Sequence, residues 1–130
     1  MFLLNEGSVK VGGGCVAYRQ GAITLRPAGG EVEVVVDNDQ GFFYADGQPV
    51  PSYTRRLPAA AVEPFLREVK ARCEAPRPEP WPSTGAATVV VDLPLNTGRV
   101  SGRFAEAHDR KDRDPLLDAV RGFVEANAPR

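Results

Sequence analysis

The segment Glu31–Tyr44, which reads EVEVVVDNDQGFFY, constrains the fold more than any other stretch of the chain. Val32, Val34 and Val36 alternate with acidic residues, which is the period-two pattern of a strand with one buried face. The next residues, Asn38 to Gly41, carry Asn and Gly where a turn needs them, and two phenylalanines and a tyrosine follow. The segment therefore predicts an antiparallel hairpin whose valine face is covered by another part of the chain.

Two amphipathic helices are predicted to supply that cover. In two segments apolar residues recur at spacings of three and four, which indicates a helix with one apolar stripe. The stripes are Val62, Phe65, Leu66, Val69 and Cys73, and then Leu116, Leu117, Val120, Phe123 and Val124. Asp114 and Pro115 suit the N-cap and first position of the second helix. Pro58 suits the start of the first helix, and Pro64 is expected to kink it unless the regular helix begins near Ala61.

The remaining strands complete an α+β fold. Val9–Arg19 and residues 22–26 read as strands separated by a turn at Gln20–Gly21, and the glycine triplet at 12–14 reads as a bulge or bend at a sheet edge. Ala87–Leu93 and Arg99–Phe104 form a second predicted hairpin. We predict one domain, 1–130, with an antiparallel sheet of about six to seven strands and both helices on one face. Its parts are a first half (1–73), a Pro-rich crossover (74–85) and a second half (86–130).

An offset of 57 positions aligns the two halves, placing Val32 on Val89 and Pro58 on Pro115. This is the pattern of two ββα units. The alternative is that any two strand–strand–helix segments of similar length share this much.

Composition narrows the classes of partner. The chain has 130 residues, with 16 basic and 17 acidic side chains and a net charge of −1, which argues against a general nucleic-acid partner. The apolar run at the N-terminus is too short for a signal peptide or membrane span, so we expect a cytoplasmic protein without a membrane partner. Cys15 and Cys73 have no paired C-x-x-C spacing, and both are interpreted as reduced, packed thiols.

No motif predicts an enzyme, a metal site or a cofactor. The single histidine, His108, is surrounded by carboxylates and by basic residues, and a solvated loop is favoured over a catalytic or metal-binding one. The glycine triplet is not followed by the Lys-Ser/Thr of a phosphate-binding loop. Asp37–Gly41 resembles the start of a calcium loop, but its twelfth position is Gln48 where a bidentate Glu is required.

The function we expect is binding to another protein. The leading hypothesis is a small cytoplasmic inhibitor or immunity-type protein that occludes a toxin or an enzyme. One alternative is an accessory or structural subunit of a larger complex or homo-oligomer, and another is a small-ligand binder or enzyme of unrecognised class. An inhibitor would be a monomer on its own, whereas a subunit could form a homodimer.

The partner surface is predicted from charge. The loop at 106–114 holds three basic groups, four acidic groups and the histidine, a density that folding does not require. The candidate residues are Arg99, Arg103, Glu106, His108, Asp109, Arg110, Lys111 and Asp112, with Arg55 and Arg56 as a second contact. Trp81, in the Pro-rich crossover, is the secondary candidate, because such a segment can be a ligand for an aromatic-lined groove. The favoured interpretation of Trp81 is that it folds back to cover the apolar core.

Overall fold

A computed structural model describes residues 1–82 and 84–129. Six strands form one antiparallel sheet: β1 (Gly7–Gly13), β2 (Arg19–Ala28), β3 (Glu31–Asp37), β6 (Tyr53–Pro58), β7 (Thr88–Leu95) and β8 (Gly98–Ala105). Their order across the sheet is β6-β3-β2-β1-β7-β8. Two short strands, β4 (Tyr44–Ala45) and β5 (Gln48–Pro49), pair separately, and the helices are α1 (Ala59–Glu74) and α2 (Pro115–Asn127). The predicted α+β class is confirmed.

The valine strand forms as predicted, but its predicted partner is wrong. Val32, Val34 and Val36 are buried, and the turn closes through the Gly41 N–H to Asn38 O bond at 2.9 Å. The chain then leaves the sheet, and β3 pairs with β2 and β6 instead of with Phe42–Tyr44. Buried Asn38 explains the departure: its side-chain nitrogen donates to Phe43 O and Val50 O at 2.9 and 2.6 Å, which fixes the segment as a compact loop.

The first hairpin also differs from the prediction. β1 ends at Gly13, residues 14–18 form the connection, and Gln20–Gly21 lies inside β2. The glycines of the triplet that belong to β1 lie in the middle of the sheet, not at an edge. Glycine is required there for close approach, since a Cβ on Gly13 would lie 2.7 Å from Ala87 Cα. Cys15 falls in the connection and is exposed, so its predicted packing is wrong, whereas Cys73 is half-buried against the core.

Both helices pack on one face of the sheet through the predicted stripes. Every apolar position predicted for α2 is buried, as are Val62, Phe65, Leu66 and Val69 of α1. The rings of Phe65 and Phe123 stack at a centroid distance of 4.0 Å, which joins the two helices. α1 begins at Ala59, two residues before Ala61, and runs as one element through Pro64.

The two halves of the chain are less alike in structure than two ββα units related by the offset of 57 would be. That offset carries β3 onto β7 and α1 onto α2, but it carries β8 back onto residues 41–48, outside the six-stranded sheet. The first half also contributes the two central strands, β1 and β2. Among the described residues, no helix is long and apolar enough to cross a membrane.

The other face of the sheet carries no helix. Side chains of even-numbered β1 and β2 residues point to it, and the register places Arg103, Val90, Lys10, Ala22 and Asp37 in one row across five strands. We call this surface the open face.

Candidate functional site

The charged loop at 106–114 is built around one buried carboxylate. Asp114 is 4% exposed, and its Oδ1 accepts the Leu117 N–H at 2.8 Å, as an N-cap residue does. Its Oδ2 accepts the Ala107 N–H at 2.7 Å and the Arg77 guanidinium at 3.0 Å. The predicted N-cap therefore also ties the start of the loop to the Pro-rich crossover.

Arg77 is a residue that sequence reasoning missed. Besides Asp114, its guanidinium donates to Ala105 O at 3.0 Å and lies 5.4 Å from the centroid of the Phe104 ring. A basic residue between two prolines carries no local signal for such contacts, because its partners follow about thirty residues later. Arg77 thus fixes the crossover to the end of β8.

Trp81 and His108 contact each other beside the Arg77–Asp114 pair. The backbone N–H of Trp81 donates to Glu106 O at 2.8 Å, and Pro80 and Ala107 form an isolated β-bridge. The indole lies 4.0 Å from the His108 ring, centroid to centroid, and remains 43% exposed. The interpretation that Trp81 covers the apolar core is wrong: it covers a loop histidine instead.

Glu106 holds the other side of His108. Its Oε1 lies 3.2 Å from His108 Nε2, and its Oε2 accepts the Ala87 N–H at 2.8 Å. Within the described part of the chain, His108 Nδ1 is buried without a hydrogen-bond partner. The imidazole is therefore clamped between a carboxylate and an indole.

Asp109 shapes the loop from within. Its Oδ1 accepts the Lys111 N–H at 2.8 Å and the Arg113 N–H at 3.3 Å. These backbone donors, the Lys111 N–H first, hold the pKa of the Asp109 carboxyl below its usual range. Asp112 takes a positive φ of 55°, which completes the tight turn. The carboxylate of Asp109 is thus committed to the loop.

The loop exposes three charged side chains, those of Arg110, Lys111 and Asp112. None of them forms a salt bridge with any residue in the described ranges. We call Trp81, His108 and residues 110–112 the Trp–loop surface. The structure thus places the secondary candidate Trp81 next to the predicted loop.

A groove between the helices continues from this surface. Its volume is about 560 Å³, and Asp109, Lys111 and Arg113 line one end of it. Gly122 and Ala119 of α2 line its length, together with the stacked pair Phe65 and Phe123 of the two helices. Small side chains leave room there for a partner to approach the helix backbones closely.

The other predicted residues lie elsewhere. Arg99 lies on the open face and donates to Asp92 Oδ1 at 2.9 Å, and Arg103 also lies on the open face. Arg55 and Arg56 are in β6, at the opposite edge of the sheet from β8, roughly 24 Å away at about 4.8 Å per strand. Arg55 donates to Asn127 O, and Arg56 faces Glu31. The structure does not bring these four arginines to the Trp–loop surface.

No set of three or more His, Cys, Asp or Glu side chains is grouped to hold a metal ion within residues 1–82 and 84–129. No protein-family model matches the chain, and a comparison with curated proteins found no match.

Proposed function

We propose that this chain is a cytoplasmic protein-binding protein that occludes a toxin or an enzyme, as inhibitor and immunity proteins do, and that it binds through the Trp–loop surface. The observation that carries the proposal is the exposed Trp81 ring held against His108 at 4.0 Å. A large apolar ring that is both exposed and fixed contacts a partner with little loss of side-chain entropy. Tryptophan and arginine are also the residues most enriched among those that dominate binding energy.

The charges around the ring support recognition of a patterned protein surface. Arg110, Lys111 and Asp112 carry opposite signs within three residues and are not engaged in salt bridges in the described part of the chain. Mixed charges at this density favour correct orientation and fast association more than large net affinity. The adjoining groove between α1 and α2 extends the contact area.

The first experiment uses matched baits. Wild-type protein, Trp81→Ala and the control Tyr44→Ala are used to capture partners from an extract of the source organism, with quantification by mass spectrometry. Tyr44 is 48% exposed, similar to Trp81, but lies outside the Trp–loop surface. A genuine partner is captured by wild type and Tyr44→Ala and lost with Trp81→Ala, provided that thermal unfolding shows Trp81→Ala to be folded.

Binding constants then test the mechanism. For a purified partner, Trp81→Ala should weaken affinity about 30-fold, equivalent to about 2 kcal/mol. The double reversal Arg110→Glu and Lys111→Glu should slow association at low salt at least about tenfold, and it leaves in place both Asp109 and the positive-φ residue Asp112, which shape the loop. Unchanged affinity in both variants contradicts the proposed surface. A partner that is an enzyme and keeps full activity in the complex contradicts occlusion.

The oligomeric state separates the inhibitor from the accessory subunit. Light scattering after size exclusion should give a monomer for the isolated chain. A dimer that Trp81→Ala dissociates would assign the same surface to self-assembly.

A further inference from the structure

A second concave site lies on the open face and shares no lining residue with the Trp–loop surface. It is a cavity of about 530 Å³ at the end of the sheet where β1 joins β2. Val90 and Ala22 form its floor, and Tyr18, from the connection between those strands, forms one wall. Its volume lies within the range of small-ligand sites, about 300–1,000 Å³.

The Tyr18 ring packs on β1 at Gly12, where there is no side chain. A Cβ on Gly12 would overlap the Tyr18 hydroxyl, so the ring lies directly on the backbone of β1. The opposite wall is the turn after β3, where Gln40 Oε1 accepts the Gln20 N–H at 2.9 Å. Both walls are therefore positioned by contacts with the sheet.

The cavity separates two cations from two carboxylates. Lys10 and Arg103 stand on either side of Val90, and Asp37 is two strands from Lys10, a separation of about 10 Å at 4.8 Å per strand. Within residues 1–82 and 84–129, neither Lys10 nor Arg103 forms a salt bridge, and the same holds for Asp37 and Asp39.

The acidic end is held in place by hydrogen bonds. The Asp39 N–H donates to Asp37 Oδ1 at 3.1 Å, and the Ser52 hydroxyl donates to Asp39 Oδ1 at 2.6 Å. These bonds keep the two carboxylates at the cavity and leave oxygen atoms free to accept from a ligand.

We propose that this cavity binds a short linear peptide with free termini, its carboxylate beside Lys10 and Arg103 and its ammonium group beside Asp37 and Asp39. Two positive and two negative groups at opposite ends fit a zwitterion better than a simple anion. A tripeptide spans about 10 Å at 3.3–3.6 Å per residue, which matches the two-strand separation of Lys10 and Asp37. Gln20 and Thr88 line the cavity with groups that hydrogen-bond to peptide amides, and Val90 contacts small apolar side chains.

Calorimetry with trialanine tests the site. We expect saturable binding with a Kd at or below about 1 mM, and a Kd at least about tenfold higher for N-acetyl-trialanine and for trialanine amide. Lys10→Gln and Asp37→Asn should each raise the Kd at least about tenfold. Arg99→Gln is the control, because Arg99 also lies on the open face but pairs with Asp92 outside the cavity.

Specific outcomes would overturn the proposal. One is no saturable heat with trialanine up to about 10 mM, and another is equal affinity for capped and uncapped peptides. Binding of inorganic phosphate that displaces trialanine and is insensitive to Asp37→Asn would identify a simple anion site instead. Amide chemical shifts of β1 and β7 should follow the trialanine titration, whereas those of residues 110–112 should not.

Discussion

Arg77 donates to the Asp114 carboxylate at 3.0 Å across 37 positions of sequence, and this contact fixes the geometry of the Trp–loop surface. The Asp114 side chain is 2% exposed and that of Arg77 20% exposed, so the pair is largely removed from water. The same carboxylate caps α2 and accepts the Ala107 N–H. One ion pair thus joins the crossover, the loop and the second helix.

Arg77→Ala should destabilise the protein by about 2–3 kcal/mol. Removing one member of a buried pair leaves the other charge uncompensated, which costs about 3–5 kcal/mol when burial is complete. The loss is smaller here because Arg77 is partly exposed and Asp114 keeps two backbone donors. Urea denaturation monitored by circular dichroism measures the change.

The control is Arg113→Ala. Arg113 pairs with Asp118 at 2.6 Å, but its side chain is 63% exposed, so the loss should stay below about 1 kcal/mol. Equal losses in the two variants would mean that burial does not distinguish the pairs.

Local signals in the sequence were sufficient for β3, β7, β8 and α2. An alternating run fixes a strand, and an Asp-Pro start followed by a 3–4 stripe fixes a helix, without information from distant residues. The return strand after β3 could not be predicted in this way, because Asn38 diverts the chain through side-chain bonds to Phe43 O and Val50 O, and periodicity does not reveal such bonds.

The candidate site was predictable in composition but not in geometry. Charge density singled out the loop at 106–114 as a candidate, and the prolines of residues 74–85 singled out the crossover that carries Trp81. That they are one surface depends on the Trp81–His108 contact and on Arg77, both of which are non-local. The arginines of β8 and β6 were grouped with the loop because sequence does not tell which face or edge of a sheet a strand residue occupies.

Phe65→Ala should cost about 3–5 kcal/mol. Phe65 is 7% exposed and stacks on Phe123 at 4.0 Å, so the substitution leaves a cavity between the two helices. The free energy of unfolding from urea titration is the measurement.

Glu68→Ala on the same helix is the matched control and should change stability by less than about 0.5 kcal/mol. Glu68 is exposed and lies 3.8 Å from Arg72. Glu63 is unsuitable as a control, since it accepts from both Arg67 and the N-terminal ammonium group. A large loss of stability in Glu68→Ala would mean that the face of α1 that carries Glu68, and not the apolar stripe, packs on the core.

The two cysteines should differ in reactivity. Cys15 is exposed, whereas burial raises the pKa of the half-buried Cys73 thiol to about 11. Because the thiolate is the nucleophile, only about one Cys73 in a thousand is reactive at pH 8. Titration with a thiol reagent at pH 8 should give one fast equivalent.

Cys15→Ser should remove the fast equivalent, and about 6 M guanidinium chloride should make both thiols of the wild type react. Two fast equivalents from the native protein would show that the end of α1 opens readily.

Stability should fall as the pH rises from about 10 towards 12, because of Tyr53. Burial raises the pKa of this phenol from its usual 10.0 to about 12, and its hydroxyl donates to Val124 O at 2.7 Å. Between these values the unfolded chain loses the phenol proton and the native chain keeps it. The native state then binds more protons, so the free energy of unfolding decreases with rising pH.

Urea midpoints at pH 8 and pH 11.5 measure this decrease, with Tyr53→Phe as the reference. The variant should lose about 0.5–1.5 kcal/mol at pH 8, the contribution of one hydrogen bond, since the ring still fills its site. Between the two pH values it should lose less stability than the wild type, because it has no phenol to ionise. Other groups also titrate in this range, so the comparison rests on the difference between the two proteins. Parallel pH profiles would mean that the Tyr53 phenol ionises in the native state as readily as in the unfolded chain.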